Sequence, residues 1–314
     1  MAILKLPSGL KASQLKHAAF LLGVPSAGKK SELGSAILGR LNAGALLPKP
    51  SKIVSIDMGI KNLGMCALEP STSSVSSGSG SHNGCQTKLH VQAWKKVDVL
   101  GHLPNLTQAA FGPSSLSKVA VSIAKDLILT YKPTHILIER QRFRSGGAAA
   151  VQEWTLRVNM LESMLWASLE TLRGEMKARD TPNVHEVSPA RVAKFWCQSS
   201  STAVTEKLFE NDWQNGKDAV VIAKDSRKVE KKDKIAVVSS WLANANGRSS
   251  VQLEFYDEAL RVAESFISGT SEGRGKKSSK EPLGKLDDLA DCLLQGAAWV
   301  RWEENRQQML EILG

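Results

Sequence analysis

The stretch KIVSIDMGIKN at residues 52–62 joins a short apolar run to an acid and a glycine. Residues 53–56 are nearly all apolar, which is typical of a buried strand, and Asp57 ends the run. Gly59 then breaks the strand, and we expect it also to let a DNA backbone or a metal ion approach closely. The apolar pattern resumes at residues 63–68, which predicts an antiparallel partner strand.

Other acids occupy similar positions at the ends of predicted elements. Glu139 ends the apolar run 136–138, and a helix near the C-terminus opens with Asp287, Asp288 and Asp291. The doublet lies four and three residues before Asp291, and both spacings place carboxylates on one face of a helix. Acids that are so placed, and far apart in sequence, predict a hard-cation site that folding assembles. Mg²⁺ is the expected ion because the candidate ligands are all oxygen.

The composition favours a polyanionic partner. The chain has 314 residues, with 41 Lys+Arg against 31 Asp+Glu and a formal net charge of +10. Such an excess favours nucleic acid first and an anionic membrane surface second. No apolar run approaches the roughly 18 residues of a membrane span, so we expect no membrane insertion. The four cysteines form no CxxC pair, which disfavours a zinc site and indicates reduced thiols in a non-secreted protein.

The first 45 residues are predicted to form a separable helical unit. Residues 46–51, which include two prolines, read as a linker to a main domain at 52–314. Helical spacing of apolar residues predicts one helix at 10–22 and a second at 31–41. The alternative is a helical hairpin that merely packs on the main domain.

The same segment resembles a known DNA-binding module. LKASQL at residues 10–15, LGVP at 22–25 and GKKSEL at 28–33 closely resemble a SAP motif, a helix-turn-helix module of DNA-binding proteins. Lys29 and Lys30 begin the second helix. They would suit phosphate contacts, because amide donors and positive charge converge at a helix N-terminus.

The main domain alternates strands and helices. The first two strands are followed by others at residues 89–97, 135–138 and 184–187. The expected helices are at residues 115–131, 151–172, 189–196 and 286–302. Three early strands, followed by helices that alternate with strands, predict an α/β fold with a mixed sheet flanked by helices.

Two stretches of the main domain are expected to be flexible insertions, near residues 71–86 and 268–280, because serine, glycine or lysine dominates them. Between them, a charge-rich segment that contains Lys228, Lys231, Lys232 and Lys234 leads into an apolar helix. These lysines suit phosphate contact, with a solvated helix face as the alternative.

A basic loop follows Glu139 directly. It consists of Arg140, Gln141, Arg142, Phe143 and Arg144. Three guanidinium groups with an amide and an aromatic ring suit phosphate clamping and stacking on unpaired bases. A solvated basic loop is the alternative interpretation.

The three acidic stretches together resemble the motifs of the fungal mitochondrial Holliday junction resolvases. The stretches are SIDMGIKN at residues 55–62, IERQRFRSG at 138–146 and KLDDLAD at 285–291. These enzymes belong, with the bacterial RuvC resolvases, to the RNase H-like superfamily. The resemblance implies a five-stranded RNase H-like sheet, and a SAP-like start is also found in that family.

The resemblance implies a structure-selective, Mg²⁺-dependent endonuclease. It would resolve four-way DNA junctions by paired symmetric nicks that leave 5′-phosphate and 3′-hydroxyl ends, in mitochondrial DNA recombination and segregation. A homodimer is implied, with the helix at residues 151–172 as the candidate interface, although its apolar stripe also suits a core. The mitochondrial location rests on the resemblance, since the N-terminus shows no clear transit peptide.

The resemblance also implies the roles of individual residues. Asp57, Glu139 and Asp291 would bind the metal, with Asp288 or Asp287 as the fourth acid and two Mg²⁺ or Mn²⁺ ions in the site. No small-molecule cofactor is expected. The residues expected to contact DNA are Lys29, Lys30, Lys61, Asn62, Arg140, Gln141, Arg142, Phe143, Arg144, Lys231 and Lys232.

Two other functions share parts of this pattern. An RNase H-type nuclease that cuts RNA–DNA hybrids would use the same core chemistry. A non-catalytic DNA-binding scaffold would keep the SAP-like module with a vestigial nuclease core, but the acids Asp57, Glu139, Asp288 and Asp291 are all present.

Overall fold

The computed structural model describes residues 4–44, 46–71, 87–99, 101, 111–141, 153–177, 180–198, 202, 204, 206–209, 228–243, 249–271 and 286–314. Most of the two predicted insertions lies outside these ranges, as do Arg142, Phe143 and Arg144. Residues 268–271, which the second predicted insertion included, are instead the end of a helix. None of the described helices is long and apolar enough to span a membrane.

A mixed six-stranded sheet forms the centre of the fold. Its strands are β1 (Ile53–Asp57), β2 (Leu63–Pro70), β3 (Thr87–Val97), β4 (His135–Glu139), β5 (Asn183–Val187) and β6 (Val251–Phe255). The spatial order is β5-β4-β1-β2-β3-β6. The first three strands pair antiparallel, as predicted for β1 and β2, whereas β4 and β5 extend β1 in parallel.

The predicted count of five strands is wrong, because β6 adds a sixth. This strand pairs in parallel with β3 at the edge of the sheet, and most of its residues stay partly exposed. A short, half-exposed edge strand carries little apolar signal of its own. Its pairing depends on contact with a strand about 160 residues earlier in the chain.

Helices cover both faces of the sheet. They are α1 (Ala12–Leu21), α2 (Lys30–Leu41), α3 (Pro113–Asp126), α4 (Glu153–Glu175), α5 (Pro189–Cys197), α6 (Lys231–Ala243), α7 (Asp257–Ser271) and α8 (Leu286–Leu313). A π-helix of five residues, Leu127–Tyr131, continues α3. Helices α3 and α4 build a core on one face, and α8 with its neighbours builds the core on the other. The predicted mixed sheet flanked by helices is therefore confirmed.

Helix α8 lies directly on the sheet because glycines permit a close approach. A Cβ atom at Gly296 would lie 2.6 Å from Leu68 Cδ2 and 3.4 Å from Ser55 Cβ. At the start of the helix, the carbonyl oxygen of Asp288 lies against Gly64 of β2 so closely that a Cβ there would overlap it. The backbone of α8 and the backbone of β2 are therefore in contact near the first turn of the helix.

A buried glutamine fixes α8 to two strands. Gln295 Nε2 lies 3.0 Å from Ser55 Oγ, 3.1 Å from the carbonyl oxygen of Ile56 and 3.4 Å from that of Leu137. The first two acceptors belong to β1 and the third to β4. Because a buried amide needs such partners, Gln295 sets how α8 lies across these strands.

The N-terminal hairpin shares its core with the main domain. Leucines of α1 and α2 belong to the same apolar cluster as α5 and α8. Arg40 Nη2 lies 2.5 Å from Glu303 Oε1, and Glu303 also pairs with Arg306 at 3.2 Å, all three side chains being buried or nearly so. The hairpin thus packs on the main domain. Its interpretation as a DNA-binding module stays a prediction.

Replacing Gly64 with alanine is expected to destabilise the fold by about 1–3 kcal/mol. The new methyl group would overlap the carbonyl oxygen of Asp288, and this backbone atom cannot move without shifting α8. Equilibrium unfolding in urea measures the change. Gly39→Ala in α2 is the control, since no atom lies within 4 Å of its new methyl group. The control should be neutral or stabilising by up to about 1 kcal/mol. Equal stability of the two variants would contradict the contact between Gly64 and Asp288.

Candidate metal centre

Three acids that are far apart in sequence meet at one end of the sheet. Asp57 ends β1, Glu139 ends the neighbouring parallel strand β4, and Asp291 lies in the second turn of α8. One carboxylate oxygen from each residue lies within 4.8 Å of the other two. The carboxyl ends of the two strands meet at the same edge, and the start of α8 adds the third acid there.

The three carboxyl groups are mostly buried and repel one another. Burial raises the pKa of Asp57 well above its ordinary value, and the charges of Glu139 and Asp291 raise it further. Burial likewise raises the pKa of Glu139 to about 7 and increases that of Asp291. Because buried negative charges that lie together are unfavourable, a cation would stabilise this cluster.

The donor set fits a hard divalent cation. All three ligand groups are carboxylates, which Mg²⁺ and Ca²⁺ prefer. Two oxygens on opposite sides of one Mg²⁺ lie about 4.2 Å apart, so the spacing of the three acids is already close to that of a coordination shell. Asp57, Glu139 and Asp291 are therefore the residues that would hold the ion.

The two acids of the doublet have different surroundings. Asp287 is buried, and its Oδ2 accepts a hydrogen bond from Lys231 Nζ. Its charge raises the pKa of Asp291. The charge of Asp288 instead raises the pKa of Asp57. Neither acid belongs to the three-acid cluster. Of the two, Asp288 is the one whose charge affects Asp57 at the end of β1.

Lys234 of α6 lies in the site, although the sequence indicated it only as one lysine of a charge-rich segment and not as part of the metal centre. Its Nζ donates a hydrogen bond to Asp291 Oδ2, and both side chains are mostly buried, 19% and 20% exposed. Lys231, one turn earlier, pairs with Asp287 but is 70% exposed. Lys232 pairs with Glu230 at 2.7 Å and is 75% exposed. The available sequence signal for Lys234 was its spacing of three residues from Lys231, which places both on one helical face.

Glu162 of α4 is a second side chain that sequence reasoning missed. Its carboxylate accepts a hydrogen bond from the backbone of Gln141, and its charge raises the pKa of Glu139. Beside it, Arg140 Nη1 lies 3.0 Å from Glu186 Oε1. These contacts hold the first two residues after Glu139. The only sequence signal for Glu162 was its position within the apolar stripe of α4.

The turn after β1 holds two of the predicted DNA contacts. Lys61 is exposed and Asn62 is partly exposed, four and five residues after Asp57. A Cβ atom at Gly59 would lie 2.6 Å from the carbonyl oxygen of Asn62. Gly59 is therefore required because the turn is tight. The sequence suggested a different reason, the close approach of DNA or a metal ion.

The predicted DNA contacts of the hairpin lie at the start of α2. Lys30 Nζ donates a hydrogen bond to the carbonyl oxygen of Leu10 at 2.9 Å, and Lys29 is exposed at the start of α2. The hairpin packs on the C-terminal half of α8, where Glu303 is located. About 18 Å of helix separates Glu303 from Asp291. The end of α2 that carries Arg40 therefore lies well away from Asp291, and Lys29 and Lys30 are at the opposite end of the helix.

Known proteins are similar to this chain over most of its length. Residues 53–309 match the family model described as mitochondrial resolvase Ydc2 / RNA splicing MRS1. The mitochondrial cruciform cutting endonuclease 1 of Schizosaccharomyces pombe is 28% identical over 305 residues, covering 94% of this chain and 93% of the relative. The protein of the same name from Saccharomyces cerevisiae is 25% identical, covering 96% of this chain and 85% of the relative.

A solved structure supports the same relationship. The crystal structure of the yeast mitochondrial Holliday junction resolvase Ydc2 has a TM-score of 0.61 and 25% identity, covering 96% of this chain and 98% of that chain. The fold is accordingly RNase H-like, as the resemblance implied. The family match runs from β1 into α8 and so contains all the acids of the cluster. The chain belongs to the mitochondrial resolvase Ydc2 / RNA splicing MRS1 family.

Proposed function

We propose that this protein is a mitochondrial Holliday junction resolvase, an endonuclease that cuts four-way DNA junctions with divalent metal ions. The cluster of Asp57, Glu139 and Asp291 is the observation that carries the proposal. The family description also covers RNA splicing, so membership alone does not decide between a nuclease and a binding protein. A preserved acid cluster favours the nuclease over a vestigial core, and the similar relatives are cruciform cutting endonucleases of mitochondria.

The chemistry follows from the placement of the acids. When bound, two Mg²⁺ ions supply an activated water molecule and support for the leaving oxygen in phosphodiester hydrolysis. Asp57 and Glu139 would hold them from rigid strand ends, and Asp291 with Asp288 from α8. Breaking the bond between phosphorus and the 3′ oxygen leaves a 5′-phosphate and a 3′-hydroxyl. Asp288 is the proposed fourth acid because its charge raises the pKa of Asp57, whereas the charge of Asp287 raises that of Asp291 on the same helix.

Basic side chains around the acids would position the DNA. Lys61 follows β1, and Arg140 follows β4 with nearly half of its side chain exposed. Both lie beside the metal centre, so phosphate contacts there would align a strand with the acids. The predicted contacts Arg142, Phe143 and Arg144 continue the chain directly from this point.

A homodimer would match the two-fold symmetry of a four-way junction and its two cleavage points. The candidate interface helix α4 has two parts. Val158, Leu161 and Leu165 are buried in the core shared with α3. Trp154 and Leu156, near the start of the helix, are exposed. The apolar stripe of α4 is therefore core, and a partner subunit would contact the first turn of the helix.

Replacing Asp57 with asparagine should reduce Mg²⁺-dependent cleavage of a synthetic four-way junction about a thousand-fold or more, because the metal contributes several kcal/mol to catalysis. Single-turnover assays measure the rate, and chelation by EDTA should abolish wild-type cleavage. Junction binding measured in Ca²⁺ should survive. Glu258→Gln, at an exposed position of α7, is the control and should cleave normally. Full activity of Asp57→Asn would refute the assigned metal centre.

The choice of substrate separates the resolvase from an RNase H-type nuclease. We expect paired, symmetric cuts in a four-way junction and no cleavage of an RNA–DNA hybrid duplex of the same arm sequence. Mapping both products on denaturing gels, at equal enzyme and Mg²⁺ concentrations, tests this. Comparable cleavage of the hybrid would favour the alternative function.

A further inference from the structure

We propose that Lys234 is a counter-ion of the metal centre. In the absence of metal, its ammonium group supplies the positive charge beside the acids, and a metal ion displaces it on binding. Lys234 is thus a positioning residue that keeps the acid cluster assembled and competes with the ion. The inference rests on the proposed metal-dependent function and concerns how the same site is loaded.

The first argument is the matched spacing of two helices. Lys231 and Lys234 lie three residues apart on α6, and Asp287 and Asp291 lie four residues apart on α8. Each pair occupies one helical face, so the lysines meet the acids in register. Two ion pairs, one at the rim and one within the site, therefore join α6 to the start of α8.

The second argument is burial. Lys234 is far less exposed than Lys231 or Lys232, although all three belong to the first turns of α6. A lysine ammonium is costly to remove from water unless an acid compensates it. The pairing with Asp291 therefore compensates the burial of this ammonium.

The third argument is that α6 is anchored. Val238 and Trp241 of the same helix are buried, and the Trp241 ring lies 4.8 Å from that of Trp196. The base of Lys234 is thereby held next to the metal centre while its flexible stem lets the ammonium move. A metal ion that coordinates Asp291 through Oδ2 would displace this ammonium. The displaced ammonium remains beside the site, where a DNA phosphate offers it a new anionic partner.

The test compares Ca²⁺ binding by variants of the 314-residue chain without DNA. Lys234→Met removes the competing charge and should bind Ca²⁺ about three- to ten-fold more tightly than the wild type, the range expected for loss of a partly buried ion pair. Lys234→Arg keeps the charge and should bind Ca²⁺ no more tightly than the wild type. Lys232→Met is the matched control, because that lysine pairs with Glu230. Isothermal titration calorimetry and the Ca²⁺-induced rise in melting temperature give the two readouts.

A purely structural lysine would behave differently. Its loss would weaken Ca²⁺ binding or leave it unchanged, and either result in a folded Lys234→Met protein would overturn the inference. Lys234→Gln provides a second neutral variant, with the same expectation, if the methionine variant does not fold. A wild-type protein that fails to bind Ca²⁺ at millimolar concentration would instead contradict the proposed metal centre itself. The two failures are thus distinguishable.

Discussion

The side-chain amide of Gln295 is the contact on which the geometry of the site depends most. It lies one helical turn after Asp291 and hydrogen-bonds to β1 immediately before Asp57 and to β4 shortly before Glu139. The same amide thus links the three elements that carry the acid cluster. Without it, Ser55 Oγ would lose a buried partner, at a cost of about 1–3 kcal/mol. The positions of the acids are consequently set by the core rather than by the acids themselves, which repel one another.

Close backbone packing reinforces this arrangement. Gly296 brings α8 onto β1 and β2, and Gly64 brings the first turn of the helix against the strand that pairs with Asp57. Side chains at either position would push α8 outward and move Asp291 away from the strand ends. A cluster of like charges is held together here because the apolar and backbone contacts of α8 outweigh the repulsion.

The sequence predicted those parts of the site that local patterns determine. Asp57 and Glu139 were recognisable because each ends an apolar strand, and Asp291 because its helix begins with acids. Lys234 and Glu162 were not, since their roles depend on how α6 and α4 pack, which no local pattern states. The hairpin looked separable because its partners on α8, including Glu303, lie more than 260 residues further along the chain. The edge strand β6 was missed for the same reason, because its pairing is entirely long-range.

The two ends of α8 use buried charge in different ways. Near the C-terminus, Glu303 is held by Arg40 and Arg306, whose guanidinium groups make several fixed hydrogen bonds. Near the N-terminus, Asp291 is held by Lys234, whose ammonium is a compact charge on a flexible stem. Arginine therefore docks the hairpin permanently, whereas lysine forms a contact that another cation can exchange. This difference in side-chain chemistry separates the part of α8 that fixes the hairpin from the part that carries the proposed metal site.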